Sequence, residues 1–385
     1  MPGVCHFLRK SSQLRASFIN NQINNHINYS PHIIYRLNRE KLYDGGYADF
    51  KGEMEELDLN RRQSYWEKIL YSGPKILSQI QVKKIQSFLQ DKDVQIAHFH
   101  YGTDCGIFYP SIKSLKIPSL VSFYGYDISS FPQYAFGYGT KYLKNRVFSK
   151  VSAVLAMSPD MKEDLIRAGC PEEKIIVHYY GTDCKNFYHK HDYLEKEQVN
   201  IFTLSTLCAK KGHLFQFKAI EKLIKSGISN FYFRIAGSGE LEQELKKYVK
   251  QNGLSHHISF IGALKYGSIE MLEEFKSADI FLHPSVTAPN GDKEGIPGTI
   301  IEAMSSGLPV ISTIHAGIPY VIKSNKTGIL VKEWDIDALA FAIKRLISSR
   351  AEREKLGLEA QRYSLHNLDL HTKEKELENI YDSII

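Results

Sequence analysis

At 385 residues the chain is long enough for two well-buried domains, and 43% apolar with 24% charged residues is the make-up of an ordinary globular protein. A formal charge of +6 fits an anionic substrate or an anionic surface and selects neither. Five scattered cysteines without metal-ligand spacing, a start (MPGVCHFLRK) without the apolar core of a signal peptide, and no run long enough for a bilayer exclude a disulfide scaffold, a cysteine-built metal site and a membrane span, so a cytoplasmic protein is expected.

In chain order, residues 4–8 read as a first strand, 11–16 as a polar loop, and Phe18, Ile19, Ile23 and Ile27 as the apolar face of a helix. Residues 32–37 form a second strand. Residues 43–60 are polar, with Glu53, Glu55, Glu56 and Asp58 together, and read as a surface excursion. Helical spacing runs over 64–90, and a buried strand over 94–99 leads into His98, Phe99 and His100. Two histidines two apart on a strand are half a metal site, but no third ligand stands near them in sequence; a hydrogen-bonded place at a strand's carboxyl end accounts for them. A helix over 105–115 and a strand over 119–124 come next. The loop after them, Gly125-Tyr126-Asp127, faces ligand by the rule that open α/β sheets bind beyond the carboxyl ends of their strands.

Residues 131–150 hold Lys141, Lys144, Arg146 and Lys150 among Tyr134, Phe136, Tyr138, Tyr142 and Phe148, with no acidic residue. On one helix Tyr138, Lys141, Tyr142, Asn145 and Phe148 share a face, which suits either lipid headgroups or packing. A strand over 151–157 and a helix capped by Ser158 complete this part of the chain. The polar stretch 189–198 reads as a linker, which puts the first domain at 1–188 and the second at 199–365.

The second domain opens with a strand over 200–205, the segment from Thr206 to Lys211, and a helix over 213–224. Gly237-Ser238-Gly239-Glu240 lacks the third glycine of a dinucleotide loop and reads as a tight turn. A strand over 258–261 ends in Gly262-Ala263-Leu264. The Asp-x-Asp pairs at 91–93 and 335–337 read as turn or cap residues, so no metal is expected. There is no Walker loop, no nucleophile elbow and no nucleic-acid module, and no nucleic-acid partner is expected.

The stretch 291–322 carries the ligand signal. After the strand ADIFLHPS, Glu294 stands in a Gly- and Pro-rich loop, Pro297 suits a helix start, and Gly307 and Pro309 end the helix. With about 1.5 Å of rise per residue, Glu302 lies roughly 7 Å into that helix. Two carboxylates therefore bracket a helix N-terminus whose first-turn amides attract an anion. A nucleotide diphosphate sugar has groups in that order: sugar hydroxyls for Glu294, phosphates for the amides at Gly295, Gly298 and Thr299, and ribose hydroxyls for Glu302.

EGIPGTIIEAMSSGLPV, residues 294–310, resembles the paired-glutamate motif of the retaining family-four glycosyltransferases, among them enzymes of bacterial surface polysaccharides of the colanic acid or O-antigen type. The resemblance implies the α/β GT-B fold: two Rossmann-like domains facing a cleft, with a last helix, here 366–385, crossing back to the first domain. It implies that loop 11–16 reaches the donor phosphates, that Lys211 aims at the departing diphosphate, and that Gly262 and Leu264 lie against the base. Thr206 takes the place of a common arginine, and Tyr124 that of a histidine in His-Gly-x-Asp, where a tyrosine is a poor base and carries no positive charge. With Asp127, these residues make the expected catalytic set Glu294, Lys211, Tyr124 and Asp127.

The function so implied is retaining, metal-independent transfer of a hexose to a saccharide or lipid-linked saccharide, with no cofactor, at the inner face of the cytoplasmic membrane if the acceptor is lipid-linked. Two alternatives stand: a degenerate non-catalytic sugar-nucleotide-binding or partner subunit, and a nucleotide-sugar epimerase of the same fold.

Overall fold

The computed structural model describes residues 1–10, 13–14, 16–37, 55–59, 67, 69–70 and 75–385. Two compact units divide the chain: Met1–Gly181 with Leu370–Ile385, and Thr182–Asp369. The sequence boundary at 188 thus falls late. The stretch 189–198 is no free linker, because Tyr193 is buried in the second unit, with its hydroxyl donating to the Gly307 carbonyl.

The first unit is a parallel sheet in the order β3-β2-β1-β4-β5-β6-β7, with β1 at Gly3–Lys10, β2 at Ser30–Leu37, β3 at Glu55–Asp58, β4 at Val94–His100, β5 at Ser119–Ser122, β6 at Ala153–Ala156 and β7 at Ile175–Val177. Strands such as AVLA are apolar on both faces because helices cover both. β3 falls inside the stretch read as a surface excursion: EELD pairs in parallel with β2 at the sheet edge. Of the helix expected over 64–90, Gln79–Asp91 forms an α-helix fixed by a capping box at Ser78 and Gln81, and residues 75–78 before it are not helical.

Alternation along β1 sends Val4, His6 and Leu8 to one face, and the register sets His6 beside His98 of β4. The helix Leu370–Ile384 lies on this face. Its residues Leu377 and Tyr381 join Val4, Ile96, Leu120 and Leu155 in one core cluster.

Residues 134–148 depart from the expected single helix. The α-helix Tyr134–Leu143 passes into a π-helical turn, Lys144–Phe148. The wider turn rotates the positions beyond Leu143 around the helix axis, so Phe148 joins Leu143 and Val147 in the core instead of the exposed face. Tyr142 turns inward to donate to the Thr103 carbonyl at 3.0 Å. Tyr134, Phe136 and Tyr138 remain exposed.

The second unit is a parallel sheet in the order β10-β9-β8-β11-β12-β13, with β8 at Val199–Leu204, β9 at Phe231–Ala236, β10 at Ile258–Gly262, β11 at Ile280–His283, β12 at Val310–Thr313 and β13 at Ile329–Val331. Strand order reverses between β8 and β11, and a crevice opens at such a point beyond the strands' carboxyl ends. Among the described residues no helix is long and apolar enough to cross a membrane.

If the last helix is part of the first unit's core, Leu377→Ala should cost about 2–5 kcal/mol of stability, as for other buried leucines. Denaturant unfolding followed by near-UV circular dichroism checks this; a loss no larger than that of an exposed substitution such as Leu358→Ala would make the helix an appendage.

Candidate active site

The loops after β8 and β11 meet because their strands are neighbours. Gly212 has φ +65°, and a Cβ there would lie 2.2 Å from the Pro284 carbonyl oxygen, so only glycine lets the loops approach this closely. The Val286 amide donates to the Lys210 carbonyl at 2.8 Å across the same seam. Lys211 thereby meets Glu294, Nζ to Oε1 at 2.8 Å, with both side chains largely out of water. Burial pushes the Glu294 carboxyl up, but Lys211 and Lys210 outweigh it and hold it at about 2.

Lys210 is the residue the sequence reading missed. It pairs with Asp292 at 3.0 Å, and its charge is favoured by Glu294 and Asp292 against the cost of burial. Lys211 is therefore not a lone cation at this crevice. Thr206 is exposed beside them, on the loop after β8.

Glu294 is held from behind. Its amide donates to His315 Nε2 at 3.2 Å, which requires the neutral ring with its proton on Nδ1; Nδ1 then donates to Glu333 at 2.7 Å. Glu333 also accepts from the Thr287 amide, so one carboxylate ties the two ends of the loop to the residues after β12. The buried ring of His283 has no hydrogen-bond partner among the described residues, and burial with the charge of Lys211 keeps it neutral.

The helix after the loop is Gly298–Ser305, with Pro297 at the N-cap rather than inside. No side chain caps it and its first turn has no acidic residue, which leaves the amides of Gly298 and Thr299 open to an anion. The Gly295 carbonyl accepts from the Gly317 amide at 3.2 Å. Glu302 is 3% exposed, its Oε2 takes no hydrogen bond from any described residue, and burial raises its carboxyl to about 8. A buried, unanswered carboxylate oxygen is costly unless a ligand donates to it. Gly262 and Ala263 lie open to solvent, and Leu264 is half-buried.

In the first unit Asp127 departs from expectation. It is fully buried, and its carboxylate accepts from the amides of Gly102, Tyr124 and Gly125 at 3.0, 3.1 and 3.2 Å. It therefore shapes the loop and presents nothing to a ligand. Tyr124 is half-buried among Phe18 and Tyr101, with its hydroxyl 2.6 Å from His100 Nδ1. His98 and His100 are hydrogen-bonded as expected, but the third histidine not visible in sequence is His6, brought alongside by β1. Of the two Asp-x-Asp pairs, Asp335 caps a helix by accepting from Ala338. A cavity of about 370 Å³ in this unit is lined by Arg9, Lys75, Arg146, Tyr134, Tyr138 and Tyr142 among others. Of the loop expected to reach phosphates, residues 11, 12 and 15 lie outside the described residues.

Residues 185–363 match the family described as glycosyl transferases group 1, and residues 49–186 match glycosyltransferase family 4. The chain is 31% identical over 296 residues to the amylovoran biosynthesis glycosyltransferase AmsK of Erwinia amylovora, an overlap of 76% of this chain and 70% of that one. The chain belongs to these glycosyltransferases. It is also 34% identical over 270 residues to WcaL of Salmonella typhimurium, named for colanic acid biosynthesis, over 69% of this chain and 63% of WcaL. It thus spans about two thirds of the length of these curated relatives. The fold is shared with Anabaena HepE, solved with UDP (TM-score 0.78, 17% identity, 100% of both chains), and with a glycosyltransferase from Rickettsia africae (TM-score 0.76, 19% identity, 100% of this chain and 98% of that one). These are GT-B proteins, and the chain's two parallel sheets are the GT-B pair of Rossmann-like domains.

A Glu302 carboxyl raised from 4.5 to about 8 on folding contributes stability that is fully present below the lower value and is lost as pH rises through the interval. Thermal unfolding between pH 5 and pH 8.5 should therefore show wild type losing stability relative to Glu302→Gln as pH rises. A Glu302→Gln profile parallel to wild type would mean that Glu302 is ionised throughout.

Proposed function

We propose that this glycosyltransferase moves a hexose from a nucleotide diphosphate sugar to a saccharide or lipid-linked saccharide during surface polysaccharide biosynthesis, with retention of configuration and without a metal. The observation that carries the reading is the buried Glu302 oxygen without a donor, within the same short segment as an uncapped helix N-terminus and the Lys211–Glu294 pair. Ribose hydroxyls answer the first, a diphosphate the second, and sugar hydroxyls the third. The named roles of AmsK and WcaL in polysaccharide synthesis and the UDP and UDP-glucose bound to HepE support the substrate class.

Chemically, the difficult event is departure of the diphosphate as the sugar gains positive charge. Lys211, Lys210 and the amides of Gly298 and Thr299 stabilise the charge that develops on the leaving oxygen, and pre-set donors of this kind lower barriers without reorganisation. Their positive charges are the counter-charge that a metal supplies in other transferases. With the leaving group held on one face, the acceptor hydroxyl attacks from that face, its proton passes to the departing phosphate oxygen, and configuration is retained. Glu294, ionised by its lysine neighbours, accepts from sugar hydroxyls and fixes the ring. On the acceptor side, the tyrosines and arginines of the first unit's cavity suit a saccharide carrying a phosphate. An acceptor on a lipid places the enzyme peripherally at the inner face of the cytoplasmic membrane.

A panel of radiolabelled nucleotide sugars, assayed for transfer and slow hydrolysis, tests the reading. Lys211→Ala should lose on the order of 100-fold in turnover, in the range for loss of one preorganised donor, and Lys210→Ala should lose less. Glu294→Ala should abolish transfer while nucleoside diphosphate still binds, whereas Glu302→Ala should weaken that binding by about 1.5 to 3 kcal/mol. Equal loss of nucleotide affinity in the two glutamate variants would overturn the division of roles, and binding without turnover of any sugar would favour the non-catalytic alternative.

A further inference from the structure

Four histidines of the first unit, His6, His26, His98 and His100, pack together, and three of them form a continuous hydrogen-bonded row. The row's inner end is the helix Leu370–Ile384, where Glu374 Oε1 lies 2.6 Å from His26 Nδ1 and Glu378 Oε1 lies 3.6 Å from it. His26 Nε2 is 2.8 Å from His6 Nε2, His6 Nδ1 is 2.9 Å from His100 Nε2, and His100 Nδ1 is 2.6 Å from the Tyr124 hydroxyl. His6 and His100 are fully buried, and Phe18 and Tyr101 flank the tyrosine ring. We propose that Tyr124 is the outer end of a buried proton relay that stores one proton at His26 and delivers it, through His6 and His100, to an anionic oxygen meeting the Tyr124 hydroxyl.

The polarity of the row comes from where the charge sits. Glu374, Glu378 and Tyr381 of the last helix, His6 of β1, and His98 and His100 of β4 surround His26. Burial opposes a charge on the His26 ring, but the two glutamates outweigh it and raise the group to about 9. Burial, together with the charge on His26, depresses His6 well below the ordinary histidine value and His100 to about 3. At neutral pH the proton therefore rests on His26, whose Nδ1 lies within ion-pair distance of the two glutamates and whose Nε2–H donates to His6. His6 must then accept on Nε2 and donate from Nδ1 to His100, and His100 must accept on Nε2 and donate from Nδ1 to the tyrosine oxygen, which leaves the phenolic hydrogen free to be donated onward.

Delivery balances bond by bond. His26 Nε2–H breaks as His6 Nε2–H forms, His6 Nδ1–H breaks as His100 Nε2–H forms, and His100 Nδ1–H breaks as a new O–H forms at Tyr124. The original phenolic proton passes to the oxyanion. His26 is left neutral on Nδ1–H, His6 and His100 become Nε2–H tautomers, and no tyrosinate forms. The positive charge that Tyr124 itself cannot hold is thus supplied from His26. His6, His26 and His100 are positioning residues, acting through Tyr124.

Long-range proton–nitrogen NMR of the full chain labelled with 15N-histidine tests the relay without any sugar. At pH 7.5 His26 should be doubly protonated, with His6 and His100 both as Nδ1–H tautomers, and all three should change together near pH 9. Glu378→Gln should move that concerted change to lower pH. Nε2–H tautomers for His6 and His100 at pH 7.5, or tautomers that do not change with His26, would overturn the relay in the wild type alone, whether or not His6→Phe folds. In His6→Phe, if folded, His100 should stop following His26. Where turnover is measurable, it should fall as pH rises past about 9, and that limb should move with Glu378→Gln and vanish in Tyr124→Phe. A limb unmoved in both would overturn the delivery step, whereas absence of any turnover alongside the concerted NMR change would count against the transferase reading and leave the relay standing.

Discussion

The ion pair between Lys211 and Glu294 is the contact on which the second unit's chemistry depends, and it exists because of sheet topology. β8 and β11 are neighbours across the reversal of strand order, so the loops leaving their carboxyl ends must meet. An ion pair buried this deeply adds little net stability, since desolvation offsets most of its attraction. Its value lies elsewhere. The pair keeps a carboxylate ionised and a cation poised beside an open helix terminus, and His315 with Glu333 holds the loop from behind so that neither drifts.

The first unit solves a different problem with similar means. A tyrosine stands at the end of β5, and a tyrosine alone is neither a useful base nor a charge. His100 of β4, His6 of β1 and then His26 connect it to two acidic residues on the final helix, spaced i and i+4 so that both reach the His26 imidazole. That helix is a covering element whose Leu377 and Tyr381 complete the core of the unit, and its acidic edge satisfies His26 and the amides of Ile27 and Asn28.

What could be read from the sequence was what is local. The segment 294–310 stood out because both glutamates, the helix start and the helix end lie within one stretch, and the parallel strands were legible as short apolar runs between helices. Lys210 was passed over because its importance arises only when the loop holding Asp292 folds against it. Asp127 looked like a site residue because a loop after a strand faces ligand; backbone curvature instead wrapped three amides around it. The π-helical turn that buries Phe148 and the charged edge strand β3 break the periodicities that betray regular elements. The histidine row and its ends span residues 6, 26, 100, 124, 374 and 378, and no spacing rule joins positions so far apart.

The central claim is that the second unit's crevice is built for a nucleotide diphosphate sugar. The most direct measurement is a crystal structure with a non-transferable nucleotide sugar, such as a phosphonate analogue, chosen by thermal shift. The account predicts ribose hydroxyls on the Glu302 carboxylate, phosphate oxygens on the amides of Gly298 and Thr299 with Lys211 in contact, and sugar hydroxyls at Glu294. A ligand bound elsewhere, or one bound here with Glu302 still unanswered and the helix terminus empty, would contradict it.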